Sequence, residues 1–348
     1  MWKREFGQAK VLVTLLAGAA IGVALFEGAA RLLVGPPATH MLTPPGRDRQ
    51  TDFDLVYAVD QDGRRSGCPS PESPRRTVAV IGDSFAFGAG VGDREHFAAR
   101  LGCRMPAAEV LNLGSIGQDF LYYDAALRAL VPRDADDIVI LLYENDLPPA
   151  EWDGLSWRLR RALYRSSHAV LVLRKARQAA ARQWHRGEIE SVVVEGRPNN
   201  VKVVALTNRA HFESIAEPPR PRLEMLDRVL RRFIGDAREV APGARVFVAM
   251  APDASTLSIR HREFFRSLAD VPLPPVGEAS RIYRRVQATC AAVAGCAFID
   301  LYSALSRDGE SLYFPHDFHW NARGHAVVAD AVVAALAGAE RVHAAPRD

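Results

Sequence analysis

Ser84, Asp317, His319, Gly114 and Asn145 are the residues whose types and surroundings suit chemistry. Ser84 closes the run Thr77-Val78-Ala79-Val80-Ile81-Gly82-Asp83-Ser84, where a short apolar segment stops abruptly at a glycine. A serine hydroxyl attacks only when a base takes its proton, and an imidazole is a good base only when an acid fixes its tautomer. Asp317-Phe318-His319 supplies both groups within three residues, far along the chain. Two more apolar runs end in donor groups, Leu111-Asn112-Leu113-Gly114 and Leu141-Leu142-Tyr143-Glu144-Asn145. The Gly114 N–H and the Asn145 side-chain amide, with the Ser84 N–H, are the donor types that hold a tetrahedral oxyanion. The combination reads as acyl transfer through a serine. Gly-Asp-Ser alone reads equally as a turn and a helix cap, so the weight rests on the distant Asp-x-His.

These residues need a scaffold that brings distant segments to one edge. From residue 77 onward apolar runs alternate with helix-like stretches: strands near 77–81, 109–113, 137–143, 245–250 and 297–301, and helices near 95–101, 119–130, 222–240 and 280–293. That pattern predicts a parallel sheet of five strands with right-handed crossovers and helices on both faces, a three-layer α/β sandwich of flavodoxin-like type. In such sheets ligands bind beyond the carboxyl ends of the strands, which is where Ser84, Gly114 and Asn145 fall. No Gly-x-Ser-x-Gly elbow occurs, which argues against the α/β-hydrolase fold.

The four blocks, in this order, resemble the SGNH (GDSL-like) hydrolase superfamily. The resemblance places Ser84 as nucleophile, His319 as base, and Ser84 N–H, Gly114 N–H and Asn145 Nδ2 as the oxyanion hole. It departs from the usual pattern twice. Tyr143 stands where the third block usually has glycine, and His316 stands three before the histidine, where the acid usually lies. Asp317, two before, is the nearest acid, and some polysaccharide-modifying branches use this shorter Asp-x-His-Trp-Asn form. The resemblance therefore assigns Asp317 to the triad, in a membrane-anchored branch.

The rest of the chain frames this domain. The 348 residues are 24% charged with a net charge of +3, which gives no nucleic-acid signal. Residues 11–34 are almost wholly apolar or small and follow Lys3, Arg4 and Lys10, so residues 1–35 read as an uncleaved transmembrane helix with its amino terminus inside. Residues 36–76, rich in Pro, Gly, Asp and Arg, read as a linker, and 77–340 as the hydrolase domain with an insertion at about 147–220. That insertion combines a basic amphipathic stretch over 157–185, suited to anionic lipid, to an acidic polymer or simply to the domain edge, with a hairpin pairing 191–194 and 201–206. Four cysteines outside the cytoplasm permit two disulfides, and Cys68–Cys103 with Cys290–Cys296 is one of the three pairings. The cysteine spacing does not suit zinc.

The sequence thus predicts a serine esterase on the extracytoplasmic side of the cell membrane, acting on an ester such as an acylated polysaccharide, with no metal or organic cofactor. Two other readings stand beside it: an O-acetyltransferase of an envelope or secreted polysaccharide using the same acyl-enzyme, and a catalytically silent sugar-binding or scaffold subunit. Asp83 and Asp146 read as turn acids, Asp300 as a helix cap and His325 as a packing residue of the last helix.

Overall fold

The computed structural model describes residues 2–33, 46–50, 53, 55–60, 64, 65, 67–150, 152, 154–184, 193, 194, 197, 198, 216–268 and 272–344. A helix, α1 (Trp2–Leu33), precedes an antiparallel pair, β1 (Gly46–Gln50) and β2 (Leu55–Val59). There follow β3 (Arg76–Gly82), α2 (Ser84–Phe87), α3 (Phe97–Arg104), β4 (Ala108–Gly114), α4 (Phe120–Leu130) and β5 (Asp137–Leu142). The insertion carries α5 (Gly154–Ser166), α6 (His168–Trp184), β6 (Val193–Val194) and β7 (Arg197–Pro198). The chain continues through α7 (Arg220–Val240), β8 (Arg245–Met250), α8 (Ala254–Leu257), α9 (Ile259–Leu268), α10 (Arg281–Ala291), β9 (Cys296–Ile299), α11 (Leu301–Leu305) and α12 (Ala322–Ala344).

Five of the strands form one parallel sheet in the order β4-β3-β5-β8-β9. Its central strands are apolar on both faces, as a doubly covered parallel sheet requires. Alternate residues take opposite sides. Ala79, Ile81, Ile138, Ile140, Val246 and Val248 pack with α4, α7 and α10, whereas Val78, Val80, Val139, Leu141, Phe247 and Ala249 pack with α3 and α12. At the amino edge the buried Asp137 carboxylate accepts from Arg76 Nε at 2.5 Å and Arg245 Nε at 2.8 Å, which ties β3, β5 and β8 in register. The strand order reverses between β3 and β5, so the crevice at their carboxyl ends is the natural site of this architecture.

Outside the sheet the expectations fare unevenly. The amino-terminal helix is present, but among the described residues no helix is long and apolar enough to cross a membrane. The apolar side chains of α1 are diluted by Gly18, Ala19, Ala20, Gly22, Ala24, Gly28, Ala29 and Ala30, and its last turns carry Glu27 and Arg31. Val193–Val194 pairs antiparallel with Arg197–Pro198, and residues 201–206, the partner expected from the sequence, lie outside the described residues. Both disulfides form in the anticipated pairing, with Cα–Cα separations of 5.5 Å for Cys68–Cys103 and 5.4 Å for Cys290–Cys296. Part of the stretch read as a linker belongs to the packed structure. Arg65 is buried, donates to the carbonyls of Phe87 (3.3 Å), Gly88 (2.7 Å) and Val91 (2.5 Å), and lies over the Tyr57 and Phe87 rings.

Candidate active site

Gly82 ends β3 in register with Gly114 of β4 and Leu141 of β5, so three strand ends stand side by side. Both glycines are there because backbone passes too close for a side chain. A Cβ on Gly82 would collide with the Leu141 carbonyl, and one on Gly114 with the backbones of Phe87 and Ala86. The turn into α2 is capped by Asp83, whose Oδ1 accepts from the Phe85 N–H at 2.9 Å. Ser84 thereby takes the first helical position, and its own N–H has no acceptor within the helix.

The histidine arrives on the loop before α12. Tyr313 pairs with Trp320 across this loop, and the Phe314 N–H donates to the His319 carbonyl at 3.1 Å. Trp320 is fully buried under the sheet. Asn321 donates through Nδ2 to the Ser311 and Tyr313 carbonyls, each at 2.9 Å, while its Oδ1 accepts from the N–H groups of Arg323 (2.9 Å) and Gly324 (3.1 Å). The residues that follow His319 therefore lock the loop and start the helix together.

The result is a hydrogen-bonded chain of three side chains. Ser84 Oγ lies 2.8 Å from His319 Nε2, and His319 Nδ1 lies 2.5 Å from Asp317 Oδ1. The same Asp317 oxygen accepts from the His319 backbone N–H at 2.8 Å. A carboxylate only accepts, so Nδ1 carries the proton and Nε2 offers its lone pair to the serine hydroxyl. The imidazole is enclosed by aromatic rings, with centroids of Phe318 at 4.4 Å, Phe85 at 5.0 Å and Phe53 at 6.0 Å. Burial pushes the Asp83 carboxyl up to about 6, against the pull of the Phe85 N–H, of His319 and of the Asn145 side chain.

The sequence-predicted donors are placed unequally. Asn145 sits exposed in the short 3-10 turn Glu144–Asp146 just beyond β5. The Gly114 N–H, expected to face an ester, donates to Asn112 Oδ1 at 3.0 Å. Tyr143, in the place the family gives to glycine, is buried; its hydroxyl donates to Asp253 Oδ2 at 2.5 Å and its ring stacks on Phe318 at 5.6 Å. Only its ring borders the site. His316 packs against Phe264 with centroids 4.7 Å apart. His325 is buried, accepts from the Phe97 N–H at 3.3 Å, and is held well below the usual imidazole range by that burial. Asp146 accepts from Tyr123 Oη (2.8 Å) and the Tyr143 N–H (2.9 Å), and Asp300 caps α11 through the Ser303 N–H at 3.1 Å.

Three residues escaped the sequence reading. Phe53 comes from the stretch read as linker, stands 4.9 Å from Phe314, and has no local signal that would reveal it. Arg65 lies in the same aperiodic stretch. Glu144 is buried beside Asn145 with Ser280 as a polar neighbour, and burial followed by repulsion from Asp253 pushes it up to about 8. Its adjacency to Asn145 was the available clue. Among the described residues no cluster of three His, Cys, Asp or Glu side chains is arranged to hold a metal.

A model of the GDSL-like lipase/acylhydrolase family matches residues 80–327. No curated protein sequence matches the chain. Among solved structures, the chain is similar to a member of the lipolytic protein G-D-S-L family from Veillonella parvula, with 12% identity and a TM-score of 0.39 over 74% of this chain and 96% of that one. It is also similar to phospholipase A1 from Streptomyces albidoflavus, with 14% identity and a TM-score of 0.43 over 75% of this chain and 99% of that one. A carbohydrate esterase family 2 enzyme from Corynascus thermopiles is 14% identical, with a TM-score of 0.39 over 81% of this chain and 71% of that one.

Proposed function

The chain belongs to the GDSL-like lipase/acylhydrolase family, whose members are serine hydrolases or acyltransferases, and from that premise we propose that it is a serine esterase acting through Ser84, His319 and Asp317. The observation that carries this reading is the unbroken chain from Ser84 Oγ to His319 Nε2 (2.8 Å) and from His319 Nδ1 to Asp317 Oδ1 (2.5 Å). Ser84 Oγ attacks the ester carbonyl carbon as its proton passes to His319 Nε2. The Ser84 N–H, the Gly114 N–H and Asn145 Nδ2 hold the oxyanion, the Gly114 N–H being shared between that oxygen and Asn112 Oδ1. Collapse expels the alkoxide, which takes the proton from His319. Water then attacks the acyl-enzyme, gives its proton to His319, and the acid leaves as the proton returns to Ser84. Asp317 keeps the imidazole in the required tautomer and stabilises the imidazolium.

The Asp-x-His-Trp-Asn block, which resembles the form found in polysaccharide-modifying branches, supports placement there, and Trp320 and Asn321 fix the loop that carries Asp317 and His319. We also propose an extracytoplasmic location with α1 at the membrane. Two disulfides, the basic residues Lys3, Arg4 and Lys10 at the amino-terminal end of α1, and its exposed Leu15, Ile21, Val23, Leu25 and Leu32 support it. Hydrolysis of a small chromogenic acetate by the full chain, compared with Ser84→Ala and His319→Ala, tests the chemistry. Turnover surviving both substitutions would end the esterase reading. Fractionation of cells with and without residues 1–35 tests the location.

A further inference from the structure

Arginines from two helices converge on one cavity. The cavity holds about 940 Å3, and its walls include Arg262 and Arg266 from α9 and Arg281 and Arg284 from α10, with Glu217 and Glu278. The spacing is helical on both sides: i, i+4 on α9 and i, i+3 on α10 put each pair on one face. Glu278 offsets part of the charge, lying 3.9 Å from Arg284, and the guanidinium of Arg262 is tied to the Pro274 carbonyl. Arg266 and Arg281 are exposed.

Elements of the cavity wall also reach residues that flank the site already described. On the adjoining face of α9, His261 Nε2 lies 2.9 Å from the Phe314 carbonyl, and Phe264 packs on His316 of the loop that carries Asp317 and His319. On the other side, Ser280 of the cavity wall stands beside Glu144, the neighbour of Asn145. α9 therefore carries two arginines of the cavity wall and also the side chains that pack on the catalytic loop. The volume lies in the range of about 300 to 1,000 Å3 typical of small-molecule sites, and four arginines stand in its wall. Guanidinium groups match carboxylates as planar forks.

We propose that this cavity is a subsite for the carboxylate groups of an anionic glycan whose ester is presented to Ser84. The assignment rests on the esterase reading for the identity of the reaction, but binding is separable from it. Arg266 and Arg281 grip uronate carboxylates, and Arg284 and Arg262 shape the wall.

The test uses the full chain and an Arg266→Ser/Arg281→Ser double variant. The substrates are a small chromogenic acetate, an O-acetylated oligouronate, and a neutral O-acetylated hexose oligomer of equal length. The expected result is a KM for the oligouronate about tenfold or more higher in the variant, with kcat on the small acetate and KM on the neutral oligomer unchanged. Calorimetric binding of the oligouronate to Ser84→Ala, weakened by salt and by the same two substitutions, gives the readout even if no ester is cleaved. Failure of the small acetate alone sinks the esterase reading and leaves the binding test decisive. Equal affinity for charged and neutral oligomers, tighter binding of a phosphorylated oligomer, or an unchanged KM in the variant overturns the subsite.

Discussion

The backbone of Gly114 passes so close to that of Phe87 that a single added Cβ would overlap the Phe87 nitrogen. One contact thus fixes how far the nucleophile helix stands from the end of β4, and hence where Ser84 sits relative to the donors beside it. The Gly114→Ala protein is expected to lose about 1–3 kcal/mol of stability, read from the midpoint of urea unfolding. Its kcat on a small ester should fall by about a hundredfold or more, because the displaced helix carries Ser84 with it. Wild-type turnover in a stably folded Gly114→Ala would show that this spacing does not matter.

Asp317 accepts from both the ring and the backbone of His319, so its loss disturbs tautomer and loop together. Asp317→Asn should lower kcat by about two to four orders of magnitude with KM little changed. Steady-state kinetics on the chromogenic acetate decide it. An effect confined to KM would assign Asp317 to binding.

Glu144 is raised from 4.5 to about 8 by burial. Between those values the folded chain keeps a proton that the unfolded chain has lost, so Glu144 makes the unfolding free energy fall as pH rises, and its contribution levels off above about 8. Asp83, raised from 3.8 to about 6, acts in the same direction over a lower window. Glu144→Gln removes the first contribution and should flatten the limb between about 6 and 8. Its stability relative to the parent should improve toward pH 8, by on the order of a few kcal/mol. Urea titrations across this range with parallel slopes for the two proteins would refute the assignment.

Glu27 joins α1 to the start of α6. Its carboxylate accepts from Ser167 Oγ (2.7 Å) and from the N–H groups of His168 (3.1 Å) and Ala169 (3.0 Å), while Arg31 donates to the Ser166 carbonyl at 3.1 Å. This is a helix cap supplied from another helix. Glu27→Ala should raise amide exchange at residues 167–169 and speed proteolysis between α5 and α6, with esterase kcat unaltered. Unchanged protection there would mean that α1 contributes nothing to this corner.

Local features were legible from the chain alone. Short apolar runs gave the strands, their alternation with helical stretches gave the parallel sheet, and the side-chain types of Ser84, Asp317 and His319 named the chemistry, because each depends on a few consecutive residues. Tertiary structure decided which groups meet. Asn112 takes the Gly114 N–H, Tyr143 turns its hydroxyl toward Asp253, Phe53 reaches the His319 ring from outside the domain expected to hold the site, and arginines of α9 and α10 share one cavity. These contacts join segments far apart in sequence, or choose among several partners for one polar group. That choice is set by close packing and by the cost of leaving a buried donor or acceptor without a partner, and no short stretch of residues encodes either.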